Sequence, residues 1–168
     1  METMQRNSNW ADRPQTKKGE YGEKKVHEYL EAKGFVVYLP VTPAAHAFDR
    51  LAIKDKKQAV IVECKAKARR TRYADTGINI THYNDYLYIS KKHNLPVFIF
   101  FIDEHLREIY GNFLSELERP TKVSGKMYPA REGKIIYFPL VNMRRNIARL
   151  SESDSNYLKQ QSRRNYEY

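Results

Sequence analysis

Three β-branched apolar residues, Val60-Ile61-Val62, run straight into Glu63-Cys64-Lys65. A stretch of this kind, Ala59 to Lys65, predicts a strand buried on both faces, so Glu63 belongs to a central strand rather than a solvated edge. With a period of two, Ala59, Ile61, Glu63 and Lys65 share one face. Upstream, Phe48 to Ile53 reads as a second strand, and Lys54-Asp55-Lys56-Lys57-Gln58 reads as a charged turn. That turn pairs Ile53 with Ala59, and the same register sets Asp49 opposite Glu63. Facing residues of such a pair have Cβ atoms about 4.5–5.5 Å apart. Two carboxylates at that separation repel each other unless a cation lies between them. A divalent ion resolves the conflict, because magnesium accepts one or two carboxylates and keeps several waters. Lys65 projects beside the same place, where an ammonium can orient a water or stabilise charge developing on a phosphoryl group. The competing reading of these residues is the polar end of an ordinary hairpin.

The rest of the chain supplies a scaffold for this pair. Residues 1–16 read as a flexible N-terminal segment, 17–150 as a single domain, and 151–168 as a polar, mobile C-terminal tail. A helix is expected from about Lys18 to Lys33, with Val26, Tyr29 and Leu30 as its apolar stripe and Gly34 as its stop. Glu23 lies on the flank of that stripe, one turn before Val26, so it can lean over the sheet. Its competing role is that of an acid in the early turns of the helix, favoured by the dipole. Phe35, Val37 and Leu39 alternate as a strand that Pro40 and Pro43 end. Thr81 is placed to cap a helix running to about His93, with Tyr83, Tyr86 and Leu87 along one side. Val97 to Ile102 reads as an apolar strand, parallel to its neighbour through that helical crossover. Gly111 to Glu118 is expected to form a short helix and Lys134 to Phe138 a strand. Leu140, Met143, Ile147 and Leu150 fall at helical spacing.

Charge and composition narrow the class of partner. The chain carries 30 Lys+Arg against 20 Asp+Glu, a net charge of +10, which favours an anionic partner, nucleic acid before others. Lys65, Lys67, Arg69, Arg70 and Arg72 put five basic groups into eight residues just past the acidic pair. Lys67, Arg69, Arg70 and Arg72 are therefore candidates for backbone-phosphate contacts. Arg163 and Arg164 with Tyr166 and Tyr168 form a basic-aromatic end that reads as a free tail. The single Cys64 excludes an intrachain disulfide and a cysteine zinc cluster; alternation turns its side chain away from Glu63, leaving only its carbonyl to face a metal. None of His27, His46, His82, His93 and His105 pairs at a metal-ligand spacing. His46, just before Asp49, is a substrate-contact candidate. No apolar run approaches the roughly 18 residues that span a bilayer, and no secretory signal is evident, so the default location is the cytoplasm.

A helix with an early glutamate, a strand, an aspartate entering a strand, a turn and then Glu63-Cys64-Lys65 resembles the core of the PD-(D/E)XK nucleases. Gly19-Glu20-Tyr21-Gly22-Glu23, with Leu30 and Gly34-Phe35, is similar to the opening helix of the archaeal Holliday-junction resolvases. The resemblance covers about residues 18–67 and departs at Phe48, where the family commonly has proline. It implies an α/β, restriction-endonuclease-like fold: a mixed sheet of about five strands flanked by helices, with an α-β-β-β-α-β core. It further implies an endonuclease that hydrolyses phosphodiester bonds with Mg²⁺, for which Mn²⁺ substitutes. Asp49 and Glu63, with Glu23 from the helix, would hold the metal, and Lys65 would act on water or phosphate. DNA, including branched or junction DNA, is the expected partner ahead of RNA, and a homodimer would suit cleavage of two strands. The alternatives are a non-catalytic nucleic-acid-binding module on the same fold and an RNA-directed nuclease.

Overall fold

The computed structural model describes residues 10–41 and 47–163; the expectations for residues 1–9, for His46 and for Arg164, Tyr166 and Tyr168 lie outside them. A single turn of 3₁₀ helix, Trp10–Asp12, leads into helix α1, Pro14–Ala32. The helix therefore begins a turn before Lys18, with proline in its first turn, where a missing N–H costs nothing. Gly34 ends it at φ +84°, a conformation that suits glycine.

Strands β1 (Val36–Tyr38), β2 (Arg50–Lys54) and β3 (Gln58–Lys65) follow, with the turn Asp55–Lys57 between the last two. Next come β4 (Asp75–Asn79), helix α2 (Ile80–His93), β5 (Val97–Asp103), β6 (Glu108–Phe113) and the short helix α3 (Leu114–Leu117). Strands β7 (Thr121–Val123), β8 (Lys126–Tyr128), β9 (Ala130–Glu132), β10 (Ile135–Pro139) and β11 (Arg144–Arg149) precede helix α4 (Glu152–Arg163). Six strands form one mixed sheet in the order β1-β2-β3-β5-β6-β11. A second sheet, β4-β10-β9, and a β7–β8 hairpin stand apart from it.

Strand β3 pairs antiparallel with β2 and parallel with β5, so it is central, as its apolar run requires. Its alternation sends Ile61 to a core shared with Tyr86, Ile89, Ile99 and Phe101, on the side of α2. Val62 and Cys64 go to the opposite core, with Val26 and Leu30 of α1 and Phe98, Phe100 and Ile102 of β5. Gly22 lets α1 approach closely: a Cβ there would stand 2.7 Å from Ile102 Cδ1 and 3.2 Å from Ala66 Cβ.

Four expectations are corrected. Asn79, not Thr81, caps α2; its Oδ1 accepts a hydrogen bond from the Thr81 N–H at 2.9 Å. Gly111 to Phe113 belong to β6, because the strand packs so tightly on β5 that a Cβ on Gly111 would lie 2.0 Å from Ile99 O; only Leu114–Leu117 are helical. The helical spacing of Leu140, Met143, Ile147 and Leu150 does not make a helix. Leu140 and Met143 bury on the α2 side of the sheet, Ile147 and Leu150 on the α1 side. One helical face cannot serve two cores, and the chain crosses the sheet edge as β11, with a bulge at Asn146 (φ 52°).

The fourth correction concerns the tail: residues 152–163 are a docked helix. Leu158 is fully buried, and the Tyr21 hydroxyl donates to Asp154 Oδ1 at 2.6 Å while Lys25 Nζ lies 3.1 Å from the same carboxylate. Polarity misleads here because the polar residues of α4 face polar residues of α1. Burial opposes the Asp154 charge, but hydrogen bonds from Tyr21, Ser151 and Lys25 outweigh it and hold the pKa well below its ordinary value. Tyr21→Phe is expected to lower the unfolding free energy by about 1.5 kcal/mol, the contribution of a hydrogen bond to a charged group. Urea denaturation measures it, and an unchanged midpoint would mean that α4 is not held this way.

Candidate active site

The turn sets the predicted register: Ile53 faces Ala59 and Arg50 faces Val62. Asp49 stands at the entry to β2, where its N–H donates to Val62 O at 3.2 Å. Its Oδ2 accepts from the Cys64 N–H at 2.7 Å, which holds the carboxylate against β3 beside Glu63. Glu63 is 4% exposed. Lys65 Nζ lies 2.5 Å from Glu63 Oε1 and 5.7 Å from the centre of the Tyr86 ring.

Burial pushes the Glu63 carboxyl up to about 7; Lys65 opposes the shift and the negative Asp49 adds to it. Tyr86, over whose ring Lys65 Nζ lies, belongs to the same cluster; burial and then Glu63 raise its phenol well above the ordinary pKa. Tyr86 is a residue that the sequence reading left on the apolar stripe of α2. Its one legible signal is that a buried tyrosine hydroxyl requires a partner. His82, one turn earlier, lies within electrostatic reach of Lys65 and Asp49; partial burial and then Lys65 lower its pKa.

Glu23 reaches the same end of the strands from the α1 side. Its Oε2 is 3.0 Å from Arg50 Nη1, which also donates to Asp49 O at 2.7 Å. Burial and then Asp49 raise the Glu23 pKa. Arg50 is therefore a tether between α1 and the Asp49 backbone that sequence reasoning missed. It is visible only once β2 alternation turns Arg50 away from Glu63. The structure brings Asp49, Glu63 and Lys65 together, and lays Glu23 beside them in an ion pair. Among the described residues, no three His, Cys, Asp or Glu side chains already converge as a metal cage. The Asp49–Glu63 pair fits a divalent cation in its chemistry: both acids offer oxygen ligands, and Asp49 raises the proton affinity of the buried Glu63.

The basic segment divides. Lys67 Nζ donates to Gly77 O at 3.1 Å, and burial, then Arg70, lower its pKa. The Arg69 N–H donates to Asp103 Oδ2 at 3.0 Å, which leaves its guanidinium outside that contact. Arg70 is committed to the fold, with Nε 2.6 Å from Asp75 Oδ1 and Nη1 2.6 Å from Glu132 Oε2. Arg72 is exposed and forms no ion pair among the described residues.

No protein-family model matches the chain, and no curated protein matches it either. Among solved structures, the Holliday junction resolvase Hjc of Archaeoglobus fulgidus, an archaeal hyperthermophile, is similar with a TM-score of 0.53. The alignment covers 74% of this chain and 86% of that one, at 10% identity. Among the described residues, no helix is long and apolar enough to cross a membrane. The likeness shows the fold: a mixed sheet flanked by helices, restriction-endonuclease-like, shared with that resolvase.

Proposed function

We propose that the chain is a magnesium-dependent endonuclease that hydrolyses phosphodiester bonds of DNA. The observation that carries this reading is a buried Glu63 set beside Asp49 at the end of a central strand, with Lys65 bound to it and lying over the Tyr86 ring. Asp49 and Glu63 are the residues that would hold Mg²⁺ or Mn²⁺, and Glu23 would join them if it exchanged its Arg50 partner. A bound magnesium supplies a water of lowered pKa and positive charge for the phosphate. The remaining work belongs to the chain. The Cys64 N–H fixes the Asp49 carboxylate, and Lys65 holds that of Glu63. Lys65 bridges Glu63 and the open side of the site, where its ammonium can orient the attacking water or neutralise the phosphoryl oxygens.

Branched or junction DNA is the first substrate to try, because a similar solved structure is a Holliday junction resolvase. Symmetric cleavage of two strands takes two such sites, which a homodimer would supply. A labelled panel of junction, fork, duplex and single-stranded DNA and RNA, incubated with magnesium, tests the activity. Cleavage that stops with chelator and with Asp49→Ala is expected. Calorimetry should show a divalent ion binding to the wild type and at least about tenfold weaker binding to Asp49→Ala, whose circular dichroism is unchanged. Equal binding in the variant would remove Asp49 from the site.

A further inference from the structure

Eight residues after Lys65, a tyrosine lies at the surface against a rigid cationic frame. Tyr73 is 40% exposed. The Arg70 guanidinium carbon is 4.5 Å from the centre of its ring and 3.6 Å from that of Tyr137. Lys126 Nζ is 4.8 Å from the Tyr73 ring, and the Arg72 guanidinium is 5.6 Å from it. This frame does not adapt freely. Arg70 grips Asp75 through both Nε and Nη2, at 2.6 and 2.5 Å, and the Tyr128 hydroxyl donates to Asp75 Oδ2 at 2.7 Å. Glu132 pairs with Arg70 and with Lys126. Asp75 and Glu132 thus neutralise much of Arg70 and Lys126, and Arg72 is exposed and without an ion pair among the described residues. The segment Ala66 to Ala74 is short, and at about 3.5 Å per residue Tyr73 stands no more than roughly 28 Å from Lys65.

From this arrangement we propose that Tyr73 is a stacking platform for an unpaired nucleobase, with Arg72 holding a neighbouring phosphate. The proposal rests on the nuclease reading for its neighbourhood and adds a substrate class to it: nucleic acid with unpaired nucleotides near the cleaved bond, as in a flap, fork or opened junction arm. A ring set among cations is suited to a base, because every base offers a π-face and a linked phosphate. Bases inside a continuous duplex are already stacked on both sides and leave no face for the ring. The four-residue basic segment expected from the sequence to bind phosphates uniformly is therefore split. Arg70 builds the platform, and Arg72, exposed beside Tyr73, is the member placed to meet the backbone.

The test reads binding without cleavage. Fluorescence anisotropy in chelator compares a labelled single-stranded oligonucleotide with a duplex of the same length, for wild type, Tyr73→Ala and Tyr73→Trp. Loss of one base–aromatic stack corresponds to about 5- to 150-fold in affinity. Tyr73→Ala is expected to lose that factor on the single strand, keep its duplex affinity and keep the slope of affinity against salt. Tyr73→Trp should bind the single strand at least as well as wild type. An abasic nucleotide walked along the oligonucleotide should reproduce the loss at one position in wild type and add nothing in Tyr73→Ala. Unchanged single-strand affinity in Tyr73→Ala overturns the platform, and so does an equal loss on single strand and duplex. Because no step requires hydrolysis, Tyr73-dependent binding in a protein that never cleaves would reject the nuclease reading and leave the platform standing. Cleavage without Tyr73-dependent binding would do the reverse.

Discussion

Lys65→Ala is expected to cut turnover by about 10²- to 10³-fold, the usual cost of removing one preorganised donor from a transition state. Affinity for nucleic acid should change little, because one cation is lost from a chain of net charge +10. The geometry supports this division of labour. Lys65 has 24% of its side chain exposed and is bound at 2.5 Å to Glu63, so it is held at the acidic pair instead of reaching out over the surface. Single-turnover cleavage at saturating enzyme separates the two effects. If affinity falls in proportion to rate, Lys65 is a phosphate anchor and the mechanism drawn here loses its polar partner for the water.

Without a divalent ion, the protein is expected to become less stable as pH rises from 5 to 8, by on the order of 3 kcal/mol from Glu63 alone. Burial raises this carboxyl from 4.5 to about 7 in the folded state. Between those values the folded chain keeps a proton that the unfolded chain has released, so the fold binds more protons and loses stability with increasing pH. The loss is complete once pH has passed the folded pKa. Urea denaturation of wild type and Glu63→Gln at several pH values in chelator isolates the group, since glutamine has no proton to lose. The wild-type curve should fall and the variant curve should stay flat over that window, apart from contributions common to both. Parallel curves would mean that Glu63 is not held as a buried acid. Magnesium added at pH 8 should stabilise the wild type and not the variant, which links the strain of the acidic pair to the ion it is proposed to bind.

Much of the fold and of the acidic pair was legible because the forces that set them act over short stretches. Val60-Ile61-Val62 specifies a central strand by its own hydrophobicity, and a five-residue turn fixes which residue of β2 meets which residue of β3. Asp49 therefore arrives beside Glu63 without help from the rest of the chain. The helical stripe of Val26, Tyr29 and Leu30 likewise finds the sheet by periodicity, though its first turn at Pro14 lies earlier than the stripe reveals.

Other parts depended on partners far away in sequence. Polar residues 152–163 read as a free tail until α1 presents Tyr21 and Lys25 to Asp154. Leu140, Met143, Ile147 and Leu150 match a helix in spacing, yet two cores on opposite sides of a sheet claim them in pairs. Arg70 looks like its neighbours in a basic run until Glu132, 62 residues on, joins Asp75 around it and turns it from a surface cation into a support for Tyr73. Tyr86 becomes part of the site only when α2 packs over β3 and sets its ring beneath the Lys65 ammonium. The sequence by itself determined β2 and β3, their register and the acid pair, because backbone pairing across a tight turn and side-chain periodicity are local. The tertiary structure alone decided which charges neutralise one another and which aromatic hydroxyls and rings are left for chemistry or binding, because those choices follow from packing between segments that no local pattern connects.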